Sequence, residues 1–399
     1  MRKKYKVGFL VSHPIQYFSP LFRRLSQEDW CDLIVYYCSD ETIRHFEDKG
    51  FGKVIKWDVP LLEGYNYKFL KNINKYGGVQ KGFWGLVNPS LFSEIKKDDI
   101  DILIIHGWNY FSTFFAIVAG RYIGYRVFLR SENPFNQEIR KTKLKLFLKK
   151  LILGRFLFKY IDKFLYVGEE NKKFYKFYGV NTKNLFFTPY CIDNSLFNKS
   201  KINEKRIIKL KKEFGIRKNN KVILFSGKLI EKKRPFDLLL AYDKLPIEIK
   251  RFTKLIYVGD GYFRKKLEDY VKGKNLNVIF VGFVNQTDLP NFYSLSDIFV
   301  LPSGMGETWG LVVNEAMNFG LPIITTNLVG CSTDLVKHGI NGFIFETGNV
   351  EELSKYLNIL LRSDDLRENM GKKSLEIIDK YNYENVIKGI KKAIESMEL

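Results

Sequence analysis

The sequence predicts an α/β protein with two doubly wound domains, and three observations support that prediction. Continuous apolar runs of strand length recur along the chain, each followed by a loop and a helical stretch, which is the order that builds parallel sheets. This pattern begins at residues 6–11 and restarts at residues 221–226, after a polar and basic stretch. With 399 residues, 45% of them hydrophobic, the chain is long enough for two or three domains with substantial cores.

The elements of the first half follow in regular order. Lys6–Val11 predicts a buried strand, and Ser19–Leu25 predicts a helix with Ser19 as its N-cap and Pro20 in its first turn. Further strands are predicted over residues 32–37, 101–106, 125–130 and 161–167, and further helices over 112–119 and 169–178. Residues 41–90 hold few periodic segments but many aromatic residues and glycines, so this insertion either shapes a binding pocket or is ordinary hairpin and loop packing.

The second half begins with a polar and basic stretch, residues 198–220, which predicts the hinge between the domains. Strands are predicted over 221–226, 254–258, 277–283, 298–301 and 322–326, and helices over 204–214, 237–245, 289–296, 350–363, 364–380 and 383–397. The turn at residues 259–261 contains Gly-Asp-Gly but lacks the third glycine of a dinucleotide-binding fingerprint, so it gives that interpretation little support.

The most informative stretch follows the strand at residues 298–301. A glycine-flanked loop leads into a helix of about three turns, with Thr308 as its predicted N-cap and Gly320 closing it. Such a loop at the carboxyl end of a parallel strand is a natural anion site, because free N–H groups and the helix dipole both favour phosphate. Glu307 and Glu315 bracket that helix start, and eight helical residues span roughly 12 Å. That length suits two carboxylates that reach two sugars with a diphosphate between them.

At this point the chain resembles a known family. Glu307 and Glu315, followed by Ala-Met-x-x-Gly-x-Pro, resemble the signature of the family-4 retaining glycosyltransferases of GT-B fold. After the strand at 221–226, Lys228 stands where that family has an arginine, and Lys233 matches its lysine. Pro189 also matches the family element that closes the first domain. The resemblance is strong over residues 221–345 and looser before them.

The resemblance implies two Rossmann-like domains that face each other across a cleft. Residues 1–197, joined by a C-terminal helix at about 383–399, would form the acceptor-side domain, and residues 198–382 the nucleotide-sugar-binding domain. It implies an enzyme that moves a hexose-type sugar from a nucleotide-sugar, most commonly a UDP-sugar, to a lipid-linked or polysaccharide acceptor in cell-surface glycan synthesis. The anomeric configuration would be retained by front-face attack.

The resemblance also assigns roles to individual residues. The implied catalytic residues are Glu307, which positions the donor hexose, His106 at the end of its strand, and Lys233. The implied donor-binding residues are Lys228, Lys233, Gly282, Phe283, Trp309, Gly310, Leu311 and Glu315, the last of them accepting hydrogen bonds from the ribose. On the acceptor side, the loop with His13, Gln16 and Tyr17 replaces the glycine-rich loop that the family usually carries.

Charge and cysteine content limit the possible partners. The formal net charge of +21 would attract polyanions, but no nucleic-acid-binding motif accompanies it, so nucleic acid is not an expected partner. The four cysteines form no CxxC pair and no Cys/His metal spacing. We therefore expect no cofactor and no divalent-ion requirement, with the nucleotide-sugar as substrate. A catalytically silent binding protein of this fold and a nucleotide-sugar epimerase remain alternatives.

The segment Arg140–Tyr160 is basic and amphipathic. It contains no Asp or Glu, and its apolar residues recur at helical spacing. Such a segment either lies on an anionic membrane or packs its apolar stripe on the core with a solvated basic back. No uninterrupted apolar run of about 18 residues is present, so we expect no transmembrane helix. We expect a cytoplasmic protein, which would be peripheral at the inner face of the plasma membrane if this segment binds lipid.

Overall fold

The computed structural model describes residues 4–44, 46–48, 50 and 52–397, and for residues 46–48 and 53 it describes the backbone alone. The chain forms two units. The first unit comprises Met1–Phe46, Val54–Pro189 and Tyr383–Leu399, and the second comprises Glu47–Lys53 and Tyr190–Asn382. The last two residues of the predicted helix at 383–399 lie outside the described residues.

The first unit is built on a parallel sheet of seven strands. The strands of this half are β1 (Tyr5–Val11), β2 (Cys31–Tyr37), β3 (Phe46–Asp48), β4 (Lys53–Ile55), β5 (Asn66–Phe69), β6 (Ile102–His106), β7 (Arg126–Ser131), β8 (Lys163–Tyr166) and β9 (Leu185–Phe187). The sheet order is β5-β2-β1-β6-β7-β8-β9, and β3 pairs with β4 in a separate two-stranded ribbon. Strand order therefore reverses between β1 and β6, which opens a crevice at the carboxyl ends of those two strands.

Helices cover this sheet. They are α1 (Ser19–Leu25), α2 (Ser90–Asp98), α3 (Phe111–Ile123), α4 (Phe135–Glu138), α5 (Lys143–Lys149) and α6 (Glu169–Phe177). A π-helical turn, Lys150–Phe156, and a 3₁₀ turn, Leu157–Tyr160, continue α5. The strands and helices predicted for this half are thus present, with small differences at their ends.

Ser19 does not act as the N-cap of α1. The helix begins at Ser19 itself and Phe18 occupies the cap position. The Ser19 hydroxyl donates instead to the Leu61 carbonyl oxygen at 2.7 Å, because the side chain is fully buried beneath the loop that carries Leu61. The Ser19 hydroxyl, which was expected to cap the helix, is therefore used in a tertiary hydrogen bond.

The second unit is built on a parallel sheet of six strands. Its strands are β10 (Lys221–Ser226), β11 (Thr253–Val258), β12 (Val278–Gly282), β13 (Ile298–Leu301), β14 (Ile323–Thr326) and β15 (Gly342–Phe345). Their order is β12-β11-β10-β13-β14-β15, so the reversal falls between β10 and β13. The first unit has the same arrangement, and both units are Rossmann-like, which confirms the predicted fold class of two Rossmann-like domains.

Helices of the second unit pack on both faces of its sheet. They are α7 (Glu204–Glu213), α8 (Pro235–Asp243), α9 (Ile247–Lys250), α10 (Arg264–Lys274), α11 (Leu289–Ser294), α12 (Leu311–Asn318), α13 (Ser332–Leu335), α14 (Val350–Arg362) and α15 (Asp364–Ile378). The final helix, α16 (Tyr383–Glu395), belongs to the first unit. Its Tyr383 hydroxyl donates to the Tyr17 carbonyl oxygen at 2.8 Å, which attaches the end of the chain to the loop after β1.

The change of unit at Pro189–Tyr190 precedes the predicted boundary at 197/198. Residues after Pro189 already pack on the second unit: the Tyr190 carbonyl oxygen accepts from the Asn314 amide at 3.0 Å, and Phe197 contacts the Tyr293 ring edge-on at 6.1 Å. The boundary was predicted there because residues 198–220 are polar, but α7, which lies in that stretch, is part of the second unit. The functional roles assigned to the two domains stay predictions.

Candidate functional site

The strand reversal in the second unit brings two loops together. One loop, residues 227–234, follows β10, and the other, residues 302–310, follows β13. Because β10 and β13 are parallel neighbours, both loops leave the same edge of the sheet side by side. Five of the predicted site residues lie on these two loops: Lys228, Lys233, Glu307, Trp309 and Gly310.

An ion pair joins the two loops. Lys233 Nζ contacts Glu307 Oε2, and the two side chains are only 13% and 9% exposed. Burial raises the pKa of the Glu307 carboxyl, but the charges of Lys233 and Lys232 outweigh burial and leave that pKa below its ordinary value. Glu307 is therefore a carboxylate at neutral pH, held in a largely desolvated position against a lysine.

The helix after this loop starts later than predicted. Gly310, with φ of 100°, caps α12, so Thr308 is not its N-cap and the helix has eight residues rather than about three turns. A Cβ at position 310 would lie 2.9 Å from Leu301 Cδ2, so the loop packs too closely on β13 for a larger residue. As at any helix start, the N–H groups of Leu311 and Val312 have no partner within the helix.

Trp309 supports the loop with its side chain. The indole is 3% exposed and donates from Nε1 to Asn314 Oδ1 at 2.9 Å. The Trp309 carbonyl oxygen accepts from Cys331 N at 3.1 Å, and the Glu307 carbonyl oxygen accepts from Gly330 N at 3.0 Å. The loop is thereby fixed from both sides, and any contact that Trp309 makes with a ligand in this conformation would come from its backbone.

Glu315 lies within α12 and is fully buried. Its Oε2 accepts a hydrogen bond of 2.6 Å from the hydroxyl of Tyr293, which is also fully buried. The Tyr293 ring stacks on Phe319 with centroids 5.7 Å apart. The carboxylate is therefore oriented by a tyrosine held in the core. Sequence reasoning did not identify Tyr293.

The loops after β11 and β12 leave the same edge of the sheet. Gly282 ends β12 with φ of 88°, and its carbonyl oxygen accepts from Gly259 N at 2.8 Å. Phe283 follows and is half-buried. A Cβ at position 259 would lie 1.9 Å from the Gly227 carbonyl oxygen, which brings the turn after β11 against the loop that carries Lys228.

Two histidines mark the strand reversal of the first unit. His13 follows β1 and His106 ends β6. The Ser12 hydroxyl lies 2.9 Å from His13 Nδ1. Burial, with a smaller contribution from the charge of His106, lowers the pKa of His13 to about 4, so His13 is neutral at physiological pH.

His106 pairs with a carboxylate that the sequence analysis did not assign. Its Nε2 lies 3.2 Å from Glu132 Oε1, and each of the two side chains is 19% exposed. The Phe18 ring packs edge-on against the imidazole with centroids 4.8 Å apart. Glu132 follows β7, the neighbour of β6, and its place in a strand-exit loop was the signal that could have identified it.

The remaining acceptor-side residues stand in the same loop as His13. Gln16 and Tyr17 are half-buried, and the Tyr17 carbonyl oxygen binds the hydroxyl of Tyr383 in α16, as described above. His13, Gln16, Tyr17 and His106 belong to the first unit, whereas Lys233, Glu307 and the predicted donor-binding residues belong to the second.

The apolar residues at helical spacing in the basic segment are Leu144, Phe147, Leu148, Leu151 and Ile152, and all but the half-buried Leu151 are exposed. Leu144 is 68% exposed, Phe147 59% and Ile152 52%. Inward-facing apolar residues are instead Leu153, Leu157 and Phe158. Most of the predicted stripe therefore does not pack on the core, and the residues that do lie further along the segment, in the π-helical turn and the 3₁₀ turn after it.

A buried glutamate anchors this segment. Glu138 Oε1 accepts from Lys149 Nζ at 2.6 Å and from the Tyr178 hydroxyl at 2.7 Å, and its Oε2 accepts from Lys141 Nζ at 2.8 Å. Burial raises the pKa of Glu138, but these hydrogen bonds outweigh it and the pKa is lowered. A Cβ at Gly154 would lie 2.6 Å from the Tyr178 carbonyl oxygen, so this glycine allows the π-helical turn to approach closely.

Within the described part of the chain, no group of three or more His, Cys, Asp or Glu side chains is arranged to hold a metal ion. Independence of metal stays a prediction. Over the same residues, no helix is long and apolar enough to cross a membrane.

Comparison with protein families and curated proteins finds similarity to glycosyltransferases. Residues 206–377 match the family model described as glycosyl transferases group 1. An uncharacterised glycosyltransferase of Methanocaldococcus jannaschii is 33% identical over 205 residues, half of each chain. The UDP-Gal:alpha-D-GlcNAc-diphosphoundecaprenol alpha-1,3-galactosyltransferase of Escherichia coli is 29% identical over 69% of each chain. The alignments span about half the length of the first curated relatives that the chain matches.

Solved structures share the whole fold. The Anabaena protein HepE, crystallised with UDP and glucose, aligns over 98% of this chain and all of its own with a TM-score of 0.72 at 18% identity. WaaG, a glycosyltransferase involved in lipopolysaccharide biosynthesis, aligns over 97% of this chain and 98% of its own with a TM-score of 0.65 at 15% identity. At these identities the alignments establish the fold, which is GT-B.

Proposed function

Residues 206–377 match the family model of glycosyl transferases group 1, and on that premise we propose that the protein is a retaining hexosyltransferase with a nucleotide-sugar donor. UDP-sugar is the first candidate donor, because UDP accompanies the HepE structures of the same fold. The proposed acceptor is a lipid-linked glycan or a polysaccharide of the cell surface. The observation that carries the proposal is the desolvated Lys233–Glu307 pair at the strand reversal of the second unit.

When the donor binds, the Lys233–Glu307 ion pair would break and each residue would bind a different part of the donor. The diphosphate attracts the Lys233 ammonium, and the Glu307 carboxylate becomes available to accept hydrogen bonds from hydroxyls of the donor hexose. A desolvated site strengthens both interactions. Because the pKa of Glu307 is already lowered, the residue enters this exchange as an acceptor and not as a proton donor.

In the transfer step, the bond between the anomeric carbon and the diphosphate oxygen breaks, and a bond to the acceptor hydroxyl oxygen forms on the same face. The acceptor proton passes to the departing phosphate oxygen, so no base from the protein is required. Lys228, Lys233 and the N–H groups at Gly310 and Leu311 stabilise the charge that develops on the diphosphate. The chain's contribution is thus electrostatic stabilisation and orientation.

The rest of the donor would bind along the same edge of the sheet. Glu315, oriented by Tyr293, accepts hydrogen bonds from the ribose hydroxyls, and the backbone around Gly282 and Phe283 contacts the base. In the first unit, His106 is the proposed catalytic residue, as the family resemblance implies. His13, Gln16 and Tyr17 contribute to the acceptor side, and the neutral imidazole of His13 can bind a sugar hydroxyl there.

We also propose that the first unit lies on an anionic membrane through Arg140–Tyr160. The exposed apolar residues of this segment are flanked by lysines, which suits a surface of anionic lipid headgroups and acyl chains. Phe156 contacts Phe114 of α3 with ring centroids 6.5 Å apart, and from there aromatic residues continue to Trp84, which is 62% exposed. Aromatic residues of this kind favour the interfacial region of a bilayer.

Thermal stabilisation by UDP-, GDP- and ADP-sugars tests the donor site, in the wild type and in Glu315→Gln. Ligand at about 100-fold over its Kd stabilises a protein by about 2.7 kcal/mol. We expect stabilisation by one nucleotide class and a loss of affinity in the variant, which keeps the volume of the side chain but lacks its charge. No stabilisation of the wild type by any donor would contradict the proposal.

A second measurement separates transfer from the two alternatives. Incubation of the protein with its donor and an acceptor extract should release nucleoside diphosphate only when both are present. A nucleotide-sugar epimerase would modify the donor with no acceptor, and a silent binding protein would bind it without any product. Loss of turnover in Glu307→Gln with donor binding retained would support the assigned role of Glu307.

A further inference from the structure

A third lysine stands at the junction of the two loops that carry Lys233 and Glu307. Lys232 Nζ donates to the Gly306 carbonyl oxygen at 3.1 Å, and the Lys232 carbonyl oxygen accepts from Gly304 N at 2.9 Å. The aliphatic part of the side chain covers Gly306, where an added Cβ would lie 3.1 Å from Lys232 Cδ. Lys232 therefore touches the residue that directly precedes Glu307.

The local charges leave an excess of positive charge. Lys232 as a whole is exposed, but desolvation of its ammonium group lowers the pKa of that group. The negative charge of Glu307 raises this pKa, whereas the positive charges of Lys233 and Lys228 lower it further. Lys232 is thus repelled by two neighbouring lysines, Lys228 and Lys233, and attracted by the Glu307 carboxylate. Like charges held close together without full compensation destabilise the folded protein when no ligand is bound. Such arrangements are typical of sites that bind a ligand of opposite charge.

A nucleoside diphosphate supplies about the charge that the cluster lacks. With three ammonium groups and one carboxylate, the cluster carries a net +2, and the two phosphates of the donor carry about two negative charges. An ammonium group has three donors, and the Gly306 carbonyl oxygen engages one of them. The other donors of Lys232 can therefore bind a phosphate oxygen without loss of the existing hydrogen bond.

We propose that Lys232 is a third diphosphate-binding residue of the donor site, in addition to Lys228 and Lys233. This inference rests on the proposed function of the second unit. Its distinguishing consequence is that the contribution of Lys232 to affinity depends on the phosphates of the ligand and not on its nucleoside. A residue that merely held the Gly304–Gly306 loop in place would contribute to both.

The test uses the 399-residue chain and its variant Lys232→Gln, which keeps an aliphatic stem over Gly306. The matched control is Lys265→Gln, which removes one exposed lysine from α10 in the same unit. Binding is measured by calorimetry for UDP, GDP and ADP, and by ligand-observed NMR for the nucleoside of whichever diphosphate the wild type binds. Diphosphate binding is repeated at several salt concentrations.

We expect Lys232→Gln to weaken diphosphate binding about tenfold, as for loss of one hydrogen bond to a charged group. Nucleoside binding should not change, and the salt dependence of diphosphate binding should become shallower, because one cation is absent. Lys265→Gln should match the wild type. Unchanged diphosphate affinity in Lys232→Gln would overturn the inference, and equal weakening of diphosphate and nucleoside would assign Lys232 to loop support instead. Absence of any diphosphate binding by the wild type would overturn the inference together with the proposed function.

Discussion

Replacement of Lys233 by methionine should destabilise the second unit in a way that depends on pH. The substitution leaves the Glu307 carboxylate, 9% exposed, without the partner that it contacts in the folded protein. Removal of one partner from a buried ion pair costs about 3–5 kcal/mol. Since both side chains keep some exposure, we expect the lower end, about 3 kcal/mol at neutral pH.

The sign of the pH effect follows from the pKa of Glu307. In the wild type that pKa is lowered, so the stability contributed by the ion pair is present above the unfolded-state pKa and is lost as pH falls through the folded-state value. In Lys233→Met burial dominates and raises the folded-state pKa. The variant therefore gains stability relative to the wild type as the pH falls and Glu307 takes up a proton.

Urea unfolding at about pH 7 and about pH 5 measures this difference. The gap between wild type and variant should narrow at the lower pH, and Lys233→Met/Glu307→Gln should recover most of the loss at neutral pH, because no buried charge remains. Lys244→Met is the control, since its pair with Glu351 is exposed to solvent and should contribute little to stability. An equal loss at both pH values, unrelieved in the double variant, would refute the electrostatic explanation.

Three further changes test other parts of the molecule. The stability of the wild type should decrease as the pH is lowered from about 6.5 to about 4, because His13 has a pKa of about 4 in the folded protein and is protonated at higher pH in the unfolded chain. In His13→Gln that part of the pH–stability curve should be flatter. Glu132→Gln removes the carboxylate beside His106 Nε2, so the ¹⁵N resonance of that nitrogen should shift while those of the other histidines do not, and an unchanged spectrum would mean that the pair does not form in solution. In sedimentation with vesicles rich in phosphatidylglycerol, Phe147→Ser should reduce binding several-fold and the control Ile247→Ser, of similar exposure, should not; equal binding by both variants would argue against the proposed membrane face.

The strands and loops were predictable because apolar runs of strand length report burial directly. β10 occupies the predicted range, residues 221–226, and the loop with Glu307 follows β13 as the pattern required. The cap of α12 was not predictable in the same way. Thr308 is a good capping residue in isolation, but close packing of the loop on β13 moved the helix start to Gly310.

The contacts between side chains on different loops could not be predicted from the sequence. Lys232 and Glu132 are ordinary charged residues until neighbouring parallel strands bring Lys232 against Gly306, next to Glu307, and Glu132 beside His106. The basic segment shows a different limit. Helical spacing identified an apolar stripe there, but the residues that face the core lie further along the segment, in the π-helical turn and the 3₁₀ turn after it.

The position of Trp309 has a practical consequence. The chain contains five tryptophans, and Trp30, Trp57, Trp84 and Trp108 all belong to the first unit. Trp309 alone reports on the second, from a buried indole in the loop that carries Glu307. A chain in which the other four are phenylalanine would therefore carry a built-in fluorophore at the donor loop. Its emission wavelength would reveal any rearrangement of that loop in real time, before the identity of the transferred sugar is known.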